Sequence, residues 1–169
     1  MGQFEINGNL EECDGLSNFP LFIKTICDVR AYLMAHTLGI IQHDIDIYVD
    51  NGTKNTGYVP IVTPIFGKFL IIKLGITGES LEGQIAYQFA HEYMHCIFYN
   101  KYGLYKPLAD DREETICSAT SLIVLHDIYP AFFAGYNNRV KSLTNAAYRA
   151  GADLAAKVNY DIDRLVSLI

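Results

Sequence analysis

Phe22, Ile26, Val29, Leu33 and Leu38 recur at near-helical spacing between Ser17-Asn18 and Gly39, which predicts a first helix with a turn-forming residue at each end. The period then changes. Ile45, Ile47 and Val49 alternate with Asp46, Tyr48 and Asp50 and run into Asn51-Gly52, the signature of a half-buried strand ending in a turn. Two further extended stretches follow, around Tyr58 to Ile65 and Lys68 to Leu74. Pro60 and Pro64 each lack a ladder donor, so the first of these is expected at a sheet edge or broken. Residues 1–16 are polar and Gly-containing and are expected to be a loosely held arm.

From residue 80 to about 100 the pattern is helical again, with Ser80 as an N-cap and Glu79 and Glu82 suitably acidic near the helix start. Ile85, Ala86, Phe89, Tyr93, Cys96 and Ile97 form an apolar back, while His91, Glu92 and His95 share the other side, the two histidines about 40° apart. A second helical pattern begins at Asp110, whose D-x-x-E spacing to Glu113 marks a capped start. On that helix Glu114 shares a face with Cys117, Ser118, Ser121 and Leu125; Glu113, about 100° away, is assigned to the cap. Asn145 to Ile169 reads as one long amphipathic helix closing the domain. The expected class is α+β: an N-terminal helix, a small and mainly antiparallel sheet from about 45 to 74, the motif helix, the Glu-bearing helix and C-terminal helices, all in one domain over residues 1–169.

Composition narrows the partners. Acidic residues outnumber basic ones 19 to 13 and the basic ones are scattered, so nothing resembles a footprint for nucleic acid. The most apolar stretch, Pro60 to Ile76, is interrupted by Pro64, Lys68 and Lys73 and is too short and too charged for a membrane span. The first residues lack the basic and apolar regions of a secretory signal, and Ile6 stands where a myristoylation signal needs Ser or Thr. Cys13, Cys27, Cys96 and Cys117 are widely spaced with no C-x-x-C pair. These features together lead to the expectation of a soluble cytoplasmic protein with free thiols.

The chemistry is concentrated in residues 91–95, His-Glu-Tyr-Met-His. With five histidines and eight glutamates in the chain, chance gives H-E-x-x-H in under about 1% of such sequences, so a second signal is what decides its meaning. Two histidines leave a catalytic zinc one protein ligand short, and Glu114 is the carboxylate that helix phase makes available. His91-Glu92-x-x-His95, eighteen residues and then Glu114 resembles the gluzincin metallopeptidases, with the interval of their zinc aminopeptidases and a size closer to minimal and phage- or plasmid-associated zinc peptidases.

The resemblance covers about residues 68–125. It implies a zincin-like fold, one Zn²⁺ per chain held by His91, His95 and Glu114, a catalytic role for Glu92, and a peptide or protein substrate laid along the strand Lys68 to Leu74. The chain lacks the G-x-M-E-N sequence that holds a free amino terminus, which favours an endopeptidase over an aminopeptidase. Ser118 stands where larger relatives carry an acidic group behind the site. The oxyanion donor stays open among Tyr102, Tyr105 and Tyr136, and His36, His43 and His126 lack metal spacing or face elsewhere. The alternative is a zinc-binding, non-hydrolytic interaction or sensor module on the same fold; oligomeric state is not legible.

Overall fold

In a computed structural model, residues 1–7, 18–52, 59–76 and 82–169 are described. The alternation at Ile47 and Val49 becomes strand β2 (Asp46–Asn51), which buries Ile47, Val49 and Asn51 on one face. It lies beside β4 (Phe69–Leu74) in the register Ile47↔Leu70, Val49↔Ile72 and Asn51↔Leu74, so the apolar members of both strands fall on the same face of the sheet. Asn51 is a polar residue on that face because its amide is fully used: it donates to the Ile76 carbonyl and accepts from the Ile76 N–H, each at 2.9 Å.

The sheet is mixed, not mainly antiparallel. β1 (Phe4–Ile6) and β4 both run parallel to β2, and among the described strands only β3 (Ile61–Ile65) is antiparallel, paired with β4 at one end of the order β1-β2-β4-β3. Alternation reports which face a residue occupies and is the same read in either direction, so strand polarity was not in the pattern. The polarity comes from the connections. Helix α1 (Phe19–Thr37) lies in the long crossover between β1 and β2, which a parallel pair requires. β3 and β4 form a hairpin whose turn residues Phe66 and Gly67 both have positive φ, 52° and 62°, the geometry that matches strand twist. Part of the expected arm is therefore sheet, since Phe4–Ile6 pairs with Ile47, Tyr48 and Val49. The Pro-containing β3 is an edge strand, as its prolines lead one to expect, whereas Lys68 to Leu74, the strand along which the resemblance lays a substrate, corresponds to an inner strand.

Asn18 caps α1 by accepting the Leu21 N–H, and Phe22, Ile26, Val29 and Leu33 are its buried stripe. Helix α2 (Glu82–Tyr102) packs against α1, against β3 and β4, and against α3 (Asp111–Ile128). Its predicted back, Ile85, Ala86, Phe89, Tyr93, Cys96 and Ile97, is fully buried; its polar front is buried too, because α3 covers it. The expected N-cap Ser80 and the acidic Glu79 before it, together with Ser17, Tyr58, Cys13 and residues 8–16 of the arm, lie outside the described residues.

Three helices complete the fold: α4 (Pro130–Ser142), α5 (Ala146–Lys157) and α6 (Ile162–Val166). The expected single helix over 145–169 is two, because Asn159 and Tyr160 adopt positive φ of 59° and 54° and Asp161 then caps α6 through the N–H groups of Asp163 and Arg164. The apolar stripe survives the break, with Val158, Ile162, Leu165 and Val166 all buried. Among the described residues no helix is long and apolar enough to cross a membrane.

Helix α5 reaches α3 through Gly151, where a Cβ would lie 2.5 Å from Ser118 Cβ and 3.0 Å from the Ala119 backbone nitrogen. Gly151→Ala should therefore destabilise the protein by about 1–3 kcal/mol of overpacking, despite the roughly 1 kcal/mol that Ala gains over Gly in helix propensity. A urea midpoint that rose in this variant would show that α5 can move away from α3 without cost.

Candidate metal centre

Two helix phases create the site. His91 and His95 are one turn apart on α2, and Asp110 Oδ1 accepts the Glu113 N–H at 2.8 Å, which starts α3 so that Glu113 and Glu114 fall in its first turn. Carboxylates are favoured there by the exposed N–H groups and the helix dipole. Packing α3 on α2 brings that turn onto the histidines. His91 Nε2 lies 3.2 Å from Glu114 Oε2 and His95 Nε2 lies 3.6 Å from Glu114 Oε1, so one carboxylate faces the same nitrogen of both rings.

The other nitrogen of His95 is held from behind. His95 Nδ1 is 2.7 Å from Glu113 Oε1, and Lys106 Nζ contacts the same carboxylate at 2.7 and 2.9 Å. A proton on Nδ1 satisfies Glu113 and leaves the lone pair on Nε2, facing Glu114. Lys106 also sits over the Tyr99 ring, 4.4 Å from its centroid. The cap assignment for Glu113 is thus half right: its backbone is capped, but its carboxylate is a histidine partner. Ser118 plays no such part, since its hydroxyl donates to the Tyr148 carbonyl at 3.2 Å. His91 is arranged differently. Its ring stacks on Tyr148 at 5.3 Å and 4°, and its Nδ1 is buried with no hydrogen-bond partner among the described residues.

Cys117, one turn beyond Glu113 on α3, places Sγ 3.5 Å from His95 Nδ1. His91, His95 and Cys117 each offer a ligand atom within 4.8 Å of the others, and this buried group could hold a metal ion. Burial, reinforced by the charges of Glu113, Glu114 and Glu92, pushes the Cys117 thiol well above its ordinary value and keeps it protonated in the absence of a cation. The hydrogen bond from His91 holds Glu114 below the ordinary carboxyl value.

Glu92 is 6% exposed, and burial pushes its carboxyl up to about 7 against the opposing pull of His95. Together with His91, Pro60 and Tyr148 it lines two adjoining cavities of about 260 and 290 Å³ between the edge strand and the helices. Burial and the charges of Glu114 and Glu92 raise the Tyr148 phenol, which stays protonated. Of the tyrosines singled out in the sequence, Tyr136 lines the smaller cavity, whereas Tyr102 and Tyr105 are exposed and line neither. His36, His43 and His126 are engaged elsewhere, with Asp163, Thr37 and Asp127.

Glu113, Lys106, Cys117 and Tyr148 are the site residues that sequence reasoning did not assign. Cys117 could have been found on the Glu114 face; Tyr148 had no signal, because only the packing of α5 on α3 brings it in. No protein-family model, no curated protein and no solved structure matches the chain.

The Lys106 and Glu113 side chains are only 6% and 8% exposed, so removing one partner strands a buried charge. Lys106→Met should cost about 3–5 kcal/mol in chemical denaturation, and adding Glu113→Gln should restore most of it, since the amide oxygen can still accept from His95. Additive losses in the double variant would mean that the pair is not coupled.

Proposed function

We propose that the chain is a zinc-dependent peptidase, an endopeptidase, with His91, His95 and Glu114 as metal ligands and Glu92 as general base. The observation that carries this reading is the convergence of both histidine Nε2 atoms on the Glu114 carboxylate, directly beside a buried glutamate. The donor set fits the metal: two neutral imidazoles and a carboxylate suit zinc and leave a position open. Glu114 is preferred to Cys117 as third ligand because the thiol faces His95 Nδ1, whose proton already serves Glu113. Bound zinc would polarise a carbonyl and make water acidic at neutral pH.

The chain's own residues supply the rest. Glu92 takes a proton from the attacking water and returns it to the leaving amine. Glu113, neutralised by Lys106, fixes the tautomer and orientation of His95. Tyr148 is a protonated phenol in the wall of both cavities and is the donor available to the carbonyl oxygen. The edge strand β3 offers its outer side to an extended peptide, and Pro60, Ile61 and Val62 border the cavity that contains both histidines.

A second reading has one observation in its favour, the buried His91, His95 and Cys117 group. It makes the chain a metal-bearing interaction or sensor module with no hydrolytic role. The two readings separate on metal content. The peptidase reading expects about one zinc per chain, lost in His91→Ala and His95→Ala, and weakened far more by Glu114→Ala than by Cys117→Ala; the opposite order supports the module.

Glu92→Gln keeps size and shape but cannot accept a proton. Against a broad peptide library this variant should retain zinc and lose about 10²- to 10⁴-fold in turnover. Unchanged turnover, abolished by a chelator in both proteins, would assign the base elsewhere.

A further inference from the structure

The 260 Å³ cavity has a composition of its own. Beyond His91 and Glu92 its walls include Tyr87 and Tyr136, stacked on each other at 5.0 Å and 27°, with Tyr148, Val140 and Leu143 around them and the polar Gln84 and Gln88 at one side. A 150 Å³ apolar cavity is large enough to take benzene, so this one has room for a substituted aromatic ring. Aromatic walls favour an aromatic guest through offset and edge-to-face contact. Arg139 lines the same cavity, is exposed, and forms no ion pair with the described residues. Such a cation beside an aromatic-walled cavity complements a carboxylate held just outside it.

We propose that this cavity is the subsite for an aromatic side chain on the residue flanking the scissile bond, and that Arg139 binds a carboxylate on the next residue. The assignment rests on the peptidase reading for the word scissile, but the binding site itself does not need the metal. The carboxylate can come from an acidic side chain or from a free C-terminus. Specificity of this kind is a difference in burial: each methylene lost from a fitted apolar group is worth about 10- to 200-fold in discrimination, so Phe should exceed Ala by at least about 100-fold. The Arg139 contribution is exposed and should be smaller, about 10-fold, and should fade with salt.

Binding is measured on metal-free protein by calorimetry or by chemical-shift titration, with acetyl-Phe-Asp amide, acetyl-Phe-Gly free acid, acetyl-Phe-Asn amide and acetyl-Ala-Asp amide as probes. The Phe probes should bind, the Ala probe should not, and the two carboxylate-bearing Phe probes should outbind the Asn one; which of the two is stronger identifies the carboxylate source. Leu143→Trp, at a half-buried wall position, should fill the cavity and weaken all Phe probes at least 10-fold. Arg139→Gln, at an exposed position independent of the folding of the first variant, should remove only the advantage of the carboxylate. Equal binding of the Phe and Ala probes, or an advantage of the carboxylate that persists in Arg139→Gln, overturns the assignment. Failure of the two readings looks different. Zinc-loaded protein that cleaves peptides with no aromatic preference overturns the subsite and leaves the peptidase; protein that binds Phe probes but cleaves nothing overturns the peptidase and leaves an aromatic-carboxylate binding site.

Discussion

A carboxylate buried between a histidine and a lysine is the constraint around which this molecule is arranged. Glu113 is too deeply buried to be left unpaired, and its two donors come from different parts of the chain: His95 from α2 and Lys106 from the connection leading into α3. Satisfying both fixes the first turn of α3 against α2 and fixes the rotation of α3 about its axis. Glu114, the next residue, is then presented to the Nε2 atoms of both histidines without a separate device to aim it. The site's geometry is a by-product of burying its neighbour.

The surrounding fold supports that arrangement from two sides. The sheet presents Leu70, Ile72 and Leu74 to the core that α2 occupies, and the fully buried back of α2 prevents the histidines from rotating away from α3. On the far side α5 comes close to α3 through Gly151, and this proximity is what lays Tyr148 flat on His91. His91, whose Nδ1 finds no hydrogen-bond partner among the described residues, is oriented by ring stacking, whereas His95 is oriented by hydrogen bonding. The two ligands of one proposed centre are thus held by different physics.

Much of this was legible in the sequence, for reasons that also mark the limit. Helix phase placed His91, Glu92 and His95 on one face, Asn18 and Asp110 announced their helices, and Pro64 pointed to an edge. These are local properties, recorded within a few residues of one another. The parallel pairing of β1 with β2, the inner position of β4 and the approach of Tyr148 depend on residues far apart in the chain, and no local pattern encodes them. Glu113 was misread in an instructive way: its position three residues after Asp110 was correctly taken as a capping pattern, but a residue's backbone and side chain can serve different partners, and only the backbone obeyed the motif.

The connectivity also bears on how the molecule comes together. His95 and Glu113 are separated by 18 positions, whereas Gln3 and Asp46, which join the first strand to the second, are separated by 43. Shorter loops close at lower entropic cost and sooner, so the helical hairpin bearing the proposed ligands can form ahead of the parallel part of the sheet. A cation captured by that hairpin would then act as a folding nucleus, and the order in which ion and sheet arrive during synthesis becomes a property of the chain's topology.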